Sequence, residues 1–183
     1  MFKINFRITD SAEKLQTFSQ EEIESGEPIE GYFEVEVNGK KYGYCNQGIL
    51  HSNESGMDLL TTWFEGLIQL ITELKKGCAY IAISDIESIN SWIEFKRLDP
   101  KHISISSLEA KKWAGVGQIV VTPLHNIEHY DWTNEIVTYD EIFQEIKQKT
   151  LAYIAQINKI NPAIAQGRCF LALKEKINKL SNS

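Results

Sequence analysis

Apolar and polar residues alternate at the start of the chain, and this period of two predicts a β-strand from Phe2 to Ile8. A second alternating segment, Tyr32 to Val37, runs into Asn38-Gly39 and is followed by a return strand from Lys41 to Cys45. Asn-Gly favours a type I′ turn, because both central positions of that turn need a positive φ. The pattern therefore predicts a β-hairpin in the first quarter of the chain.

The middle of the chain predicts a long helix that is followed by a buried strand. Apolar residues recur every three to four positions from Met57 to Lys76, and Asn53 or Ser55 can serve as the N-cap. The run from Cys78 to Ile83 is short, apolar and partly β-branched, which is typical of a strand buried on both faces. Trp63 lies on the apolar stripe of the helix, so we expect it in the core.

Further strands follow at intervals of about ten residues, which is the spacing of an antiparallel meander. They are Ser91 to Leu98, His102 to Ser106 and Gln118 to Thr122. The serine hydroxyls of the second of these strands are expected on the solvent face of a sheet edge.

The last quarter of the chain predicts a pair of helices. Thr138 and Glu141 form a capping box for a helix from Tyr139 to Ile160. Asn161-Pro162 ends that helix and begins another, because proline is well tolerated at the first helical position after an asparagine N-cap. The order of strands, helix, strands and helices indicates an α+β fold, with the helices packed on one face of a mainly antiparallel sheet. We expect residues 1–183 to form a single domain.

Negative charge is concentrated in one segment. The formal net charge of the chain is −6, and the segment from Asp10 to Glu36 alone contains nine carboxylates and one lysine. A one-signed surface of this kind raises the rate and the selectivity of association with a basic partner. The predicted partner-binding residues are Glu21, Glu22, Glu24, Glu27, Glu30, Tyr32, Glu34, Glu36, Trp113 and Trp132.

The acidic segment has two interpretations. Glu34 and Glu36 share the face of the hairpin opposite its apolar residues, so we expect both carboxylates in solvent. Trp113 and Trp132 have polar neighbours, and an aromatic residue in such surroundings either anchors a loop or contacts a partner. The alternative interpretation is that the acidic segment only keeps the protein soluble.

Composition argues against several other classes of function. Three cysteines without a CxxC spacing indicate neither a disulfide framework nor a thiolate zinc site, and they fit a reducing cytoplasm. No window reaches the ~18 apolar residues that a membrane span needs. A net acidic chain without a lysine and arginine stripe is poorly suited to nucleic acid. We therefore expect a cytoplasmic protein that binds no membrane, no nucleic acid and no cofactor.

One string has the form of a catalytic motif. His125-Asn126-Ile127-Glu128-His129 matches H-x-x-E-H, in which two histidines one helical turn apart bind zinc and the glutamate is the general base. The flanking residues lack the periodicity of a helix, so we expect an exposed loop. The alternative function is thus a small zinc-dependent hydrolase that uses His125 and His129. Apart from that alternative, we predict no metal site and no catalytic residue.

The layout of the chain resembles a known class of proteins. Its hairpin from Tyr32 to Gly39, the helix that contains Leu59 to Phe64, the strand Tyr80 to Ile83 and the C-terminal helix pair look like those of bacterial immunity proteins. Such proteins belong to contact-dependent growth inhibition and other polymorphic toxin systems. The resemblance implies a non-enzymatic antidote that binds the C-terminal domain of one cognate toxin, often a basic nuclease, and blocks its active site. It identifies no binding residue by position.

Overall fold

The computed structural model describes residues 1–50, 56, 58–86, 88, 90–111, 119–129 and 132–182, and every structural statement below concerns these residues. They form an α+β fold, as predicted. In chain order the elements are β1 (Phe2–Ile8), α1 (Ala12–Gln16), α2 (Gln20–Ser25), β2 (Glu30–Val37), β3 (Lys40–Tyr44), β4 (Asp58–Leu59), α3 (Leu60–Lys75), β5 (Tyr80–Ser84), β6 (Ser91–Arg97), β7 (His102–Glu109), β8 (Ile119–Val120), β9 (Glu128–His129), β10 (Glu135–Thr138), α4 (Tyr139–Ile160), α5 (Pro162–Ala165) and α6 (Arg168–Asn182).

The strands form two antiparallel sheets, whereas the sequence suggested one. In the first sheet the order is β1-β2-β3, and β4 also pairs with β2. In the second sheet the order is β10-β7-β6-β5-β8, and β9 also pairs with β7. One apolar cluster contains residues from both sheets and from the long helices, for example Ile4, Phe64, Phe95 and Tyr153. The rings of Phe64 and Tyr153 stack within it, with centroids 4.8 Å apart.

The predicted hairpin is confirmed. Val37 pairs with Lys40 across the turn, and Asn38 and Gly39 have φ values of 51° and 85°. These two positive φ values are what a type I′ turn requires, and they explain why the local sequence alone identifies the turn.

The prediction that the long helix begins at Met57 is wrong. Asp58 and Leu59 form the short strand β4, and the helix begins at Leu60. The carboxylate of Asp58 accepts hydrogen bonds from the backbone N–H of Phe33 at 3.0 Å and from Nε1 of Trp63 at 2.9 Å. This pairing to the first sheet overrides the helical pattern of the sequence. The proposed caps, residues 53 and 55, lie outside the described residues.

The predicted meander is confirmed only for β6 and β7, which pair with each other, because the third predicted strand, β8, pairs with β5 and not with β7. In addition, β7 is not an edge strand. It lies between β6 and β10, so Ser104, Ser106 and Ser107 are buried instead of facing solvent. The buried hydroxyl of Ser106 accepts a hydrogen bond from the backbone N–H of Asn134 at 3.0 Å. These serines are therefore buried parts of the second sheet, and their hydroxyls are not on its solvent face.

The C-terminal helices begin as predicted. Thr138 and Glu141 form the capping box of α4, and the side chain of Asn161 caps α5. The second helix of the predicted pair is interrupted, since α5 ends at Ala165 and α6 begins at Arg168. Gly167 lies in the break, where a Cβ atom would be 2.9 Å from Cγ2 of Ile23. Close packing of α2 against this break therefore requires glycine.

Candidate partner-binding surface

The two short helices α1 and α2 present most of the acidic side chains. The segment that contains them connects the end of β1 to the start of β2, which are paired at Ile8 and Gly31. Within α2 only Ile23 is buried, so the glutamates around it are left at the surface. Ser19 and Glu22 form a capping box that fixes the start of this helix. We call the following residues the acidic surface: Glu13, Glu21, Glu22, Glu24, Glu27 and Glu30.

Lys14 shows that carboxylates distant in sequence lie close together here. Its Nζ is 2.6 Å from Oδ1 of Asp10. That hydrogen bond, followed by the charges of Asp10, Glu30 and Glu27, raises the pKa of Lys14 against a smaller lowering by burial. The same Asp10 carboxylate accepts a hydrogen bond from the backbone N–H of Glu30 at 2.8 Å. One lysine thus sits among several carboxylates, and the net charge of this region is negative.

The prediction that Glu34 faces solvent is wrong. Its side chain lies on the outer face of the first sheet, but the residue is only 4% exposed. It accepts hydrogen bonds from Nδ2 of Asn5 at 2.9 Å and from Nζ of Lys41 at 3.2 Å. Glu36, on the same face, is half-buried. The hairpin therefore contributes much less to the acidic surface than its sequence suggested.

A loop explains why this outer face is covered. After β3 the chain turns back over the sheet, and Nη1 of Arg7 donates hydrogen bonds to the backbone oxygens of Asn46 and Gly48. Cys45, at the start of the loop, is buried, and burial followed by the nearby charge of Glu34 raises the pKa of its thiol. A thiol that resists deprotonation is a poor nucleophile, so we assign Cys45 a role in packing and not in catalysis.

The prediction that Trp132 contacts a partner is also wrong. The residue is 5% exposed, and its Nε1 donates a hydrogen bond to the backbone oxygen of Lys41 at 3.0 Å. Trp132 therefore anchors the segment before β10 to the hairpin, which was the other role considered for it. Trp113 lies outside the described residues.

Exposed apolar side chains lie in the hairpin and in the loop that follows it. Tyr44 is 62% exposed and Ile49 is 86% exposed. The ring of Tyr44 meets that of half-buried Tyr32 edge-on, with centroids 5.6 Å apart and an interplanar angle of 83°. Tyr32 is two residues after Glu30 on β2, so the two side chains share a face about 7 Å apart. We call Tyr32 and Tyr44 the tyrosine patch.

Sequence reasoning identified Tyr32 but missed its neighbour Tyr44. Tyr44 is opposite Phe33 in the register of the hairpin, and strict alternation would place its ring in the core. Gly43, with a φ of 77°, interrupts the alternation one residue earlier. A glycine inside a short strand was the available signal for this change of face.

Comparison with known proteins gave no match to any family model, curated protein or solved structure. Among the described helices, none combines the length and the apolar character that a membrane crossing requires.

The H-x-x-E-H string does not form a helix. Asn126 has a φ of 52°, and Glu128–His129 is the strand β9, paired with β7. Both His125 and His129 are exposed. The two histidines therefore lack the one-turn spacing on a helix face through which this motif binds zinc. Within the described ranges no group of three or more histidine, cysteine, aspartate or glutamate side chains is arranged to hold a metal ion.

Proposed function

We propose that the protein is a non-enzymatic immunity protein, which binds a cognate toxin domain in the cytoplasm and neutralises it. The partner would be a basic domain, for which a nuclease is the typical case. The observations that carry this proposal are the exposed glutamates of α1 and α2 and the Tyr32–Tyr44 pair, which shares a face of β2 with Glu30. A nuclease binds the phosphates of its substrate in a basic groove. An acidic protein surface can occupy that groove, because it presents negative charge as the phosphates do.

The two parts of this surface have different physical roles. Exposed glutamates at the edge of an interface mainly accelerate association and select for a partner of opposite charge. They do not hold a complex together, because exposed ion pairs contribute little net free energy. Exposed Tyr44 and half-buried Tyr32 supply apolar area with a polar end, which is the usual composition of an energetic centre in a protein interface. The proposed interface therefore places Tyr32 and Tyr44 at its centre and the acidic surface along its rim.

The test begins with a defined candidate partner, the protein encoded immediately upstream of this gene, because immunity genes normally follow the gene of their toxin. Its C-terminal domain is expressed in a sensitive host with and without the protein, and growth is measured. Binding of the two purified proteins is then followed by surface plasmon resonance at several salt concentrations. Rescue of growth together with direct binding supports the proposal, and a toxic domain that is neither bound nor neutralised contradicts it.

A charge-reversal pair tests the surface itself. In Glu21→Lys/Glu24→Lys both changed residues are exposed on α2, whereas Glu128→Lys/Asp140→Lys makes the same change in net charge elsewhere. We expect the first variant to reduce the association rate at low salt by about 10-fold or more, because local charge steers the encounter. The second variant should retain most of the rate. Equal effects of the two variants would show that net charge, not the acidic surface, governs association.

A further inference from the structure

A groove lies between the C-terminal ends of α3 and α6, the turn from β6 to β7, and the N-terminal turn of α4. Its volume is about 680 Å³, within the range of small-molecule binding sites. Aliphatic and aromatic side chains form much of its lining: Leu74, Ala79, Leu98, Phe143 and Leu180. Leu98 lies exposed on this lining, with 54% of its surface accessible. The groove is on a different part of the molecule from the acidic surface and the tyrosine patch.

Arg97 lines this groove and is an incompletely satisfied cation. Its Nη2 donates a hydrogen bond to the backbone oxygen of Leu74, and its Nη1 makes a longer one of 3.3 Å to that of Pro100. Its guanidinium lies over the ring of Tyr139, with Cζ 5.9 Å from the centroid. Its Nε is buried and has no acceptor among the described residues, and no carboxylate there forms an ion pair with it. A half-buried guanidinium that lines a groove and has no carboxylate paired with it is a suitable binding group for an anion.

The acidic residues near the groove do not supply that partner. Asp99 is already engaged, since its carboxylate accepts hydrogen bonds from Nδ1 of His102 at 2.8 Å and from the backbone N–H groups of Lys101 and His102. Asp140 is exposed in the first turn of α4, where the positive end of the helix dipole favours a carboxylate. Within the described ranges, Arg97 therefore keeps both a cationic charge and an open apolar surface beside it.

We propose that this groove binds a small carboxylic acid with an apolar body, the carboxylate at Arg97 and the body on Leu98, Phe143 and Leu180. A guanidinium can hold a carboxylate through two parallel hydrogen bonds. To form them, Nη1 of Arg97 would give up its long hydrogen bond to the backbone oxygen of Pro100. The apolar body would cover Leu98 and bury area that now faces water. This site is independent of the proposed toxin binding and would serve a small ligand.

Decanoate is a direct probe of the proposal, and decyltrimethylammonium is its matched cation. Each is titrated below its micelle concentration into the ¹⁵N-labelled protein, and chemical-shift changes and calorimetric heats are recorded. We expect decanoate to bind with a dissociation constant of about 0.1–1 mM, which is reasonable for a ligand of this size in an open groove. Its shifts should map to Leu98 and Tyr139. The cation should bind at least ~10-fold more weakly, because it cannot use the guanidinium donors.

Two leucine variants locate the site without removing the arginine. Leu98→Asp places a negative charge on the groove lining, whereas Leu171→Asp makes the same change at an exposed position of α6 outside the groove. Leu98→Asp should weaken decanoate binding ~10-fold or more and Leu171→Asp should leave it unchanged. The proposal is wrong if decanoate does not bind, if the cation binds equally well, or if the two variants behave alike. Arg97→Gln is a second test, and it should reduce the preference for decanoate over the cation, although Lys75, a second cation of the lining, remains.

Discussion

Glu145 on α4 accepts a hydrogen bond from the backbone N–H of Ile4 on β1, with 2.8 Å between Oε1 and the nitrogen. β1 is an outer strand of the first sheet, so a main-chain N–H on its free side has no neighbouring strand to bond with. The Ile4 side chain is fully buried, and little water is available there. A helix side chain thus completes the hydrogen bonding of a sheet edge, and it joins α4 to the first sheet.

Replacement of Glu145 by alanine should destabilise the protein by about 1–3 kcal/mol, because the Ile4 N–H is left without an acceptor in a largely dry site. Urea denaturation followed by circular dichroism measures this change. Lys149→Ala is the control, since Lys149 makes only a 3.7 Å ion pair with the same carboxylate, and such pairs contribute about 0–1 kcal/mol. A loss in Lys149→Ala as large as that in Glu145→Ala would contradict the role of the backbone hydrogen bond.

Lys41 and Glu34 form an asymmetric ion pair, because the lysine side chain is largely exposed and the carboxylate is buried. Lys41→Met should therefore cost about 2 kcal/mol, since it leaves the buried charge of Glu34 with Asn5 as a hydrogen-bond donor. Glu34→Gln should cost less, because the amide oxygen still accepts from Asn5 and Lys41 can turn to water. Both costs are read from thermal and urea unfolding.

Lys40→Met is the matched control for this prediction. Lys40 is one residue earlier on the same exposed strand, and it makes no ion pair within the part of the chain that the structure describes. Its replacement should change stability by about 0.5 kcal/mol or less. If the two lysine variants have the same stability, the ion pair with Glu34 is not a stabilising interaction.

The elements predicted correctly from sequence are those with local signals. The Asn38-Gly39 turn and the capping box of Thr138 and Glu141 each depend on residues within four positions of one another. The true start of α3 was not predictable in this way, because Asp58 is held by the backbone of Phe33, 25 residues earlier in the chain. Periodicity cannot detect such a contact, and it therefore extended the helix too far towards the N-terminus.

The candidate site was predicted only in part for the same reason. Charge counting located the acidic segment, and Glu21 and Glu24 are exposed as expected. Counting could not detect that Asn5 and Lys41 would cover Glu34, since this depends on the order of strands in the first sheet. The burial of Trp132 likewise depends on a distant contact, because the hydrogen-bond acceptor of its indole is the backbone oxygen of Lys41, 91 residues earlier in the chain.

The Asp99 carboxylate provides a prediction about pH. Its hydrogen bonds with His102 and with the backbone of Lys101 and His102 lower its pKa from 3.8 to about 2. Because the folded pKa is below the unfolded one, ionised Asp99 contributes stability above about pH 4, and this contribution is lost as the pH falls to about 2. Asp99→Asn should therefore differ from the original protein in stability above pH 4 and converge with it near pH 2. NMR titration of the carboxyl carbon checks the pKa directly.

An Asp99 pKa near 3.8 would contradict the assignment of this shift to His102 and its neighbours. The assignment would also be wrong if the difference in stability between Asp99→Asn and the original protein did not change between pH 4 and pH 2.

The tyrosine patch and the acidic surface should affect different rate constants of the proposed toxin binding. Tyr44 is mostly exposed and carries no charge, so Tyr44→Ala removes apolar contact area and leaves the electrostatic field intact. We expect the dissociation rate to rise by about 30-fold, which corresponds to about 2 kcal/mol for an interface centre, while the association rate changes little. Leu171→Ala removes an exposed apolar side chain from α6 and should change neither rate.

In Glu21→Lys/Glu24→Lys the association rate and its salt dependence should fall instead, because steering acts before contact. If Tyr44→Ala leaves the dissociation rate of a cognate complex unchanged, the centre of the interface is on another face, and Tyr32 and Tyr44 have no part in holding the complex together.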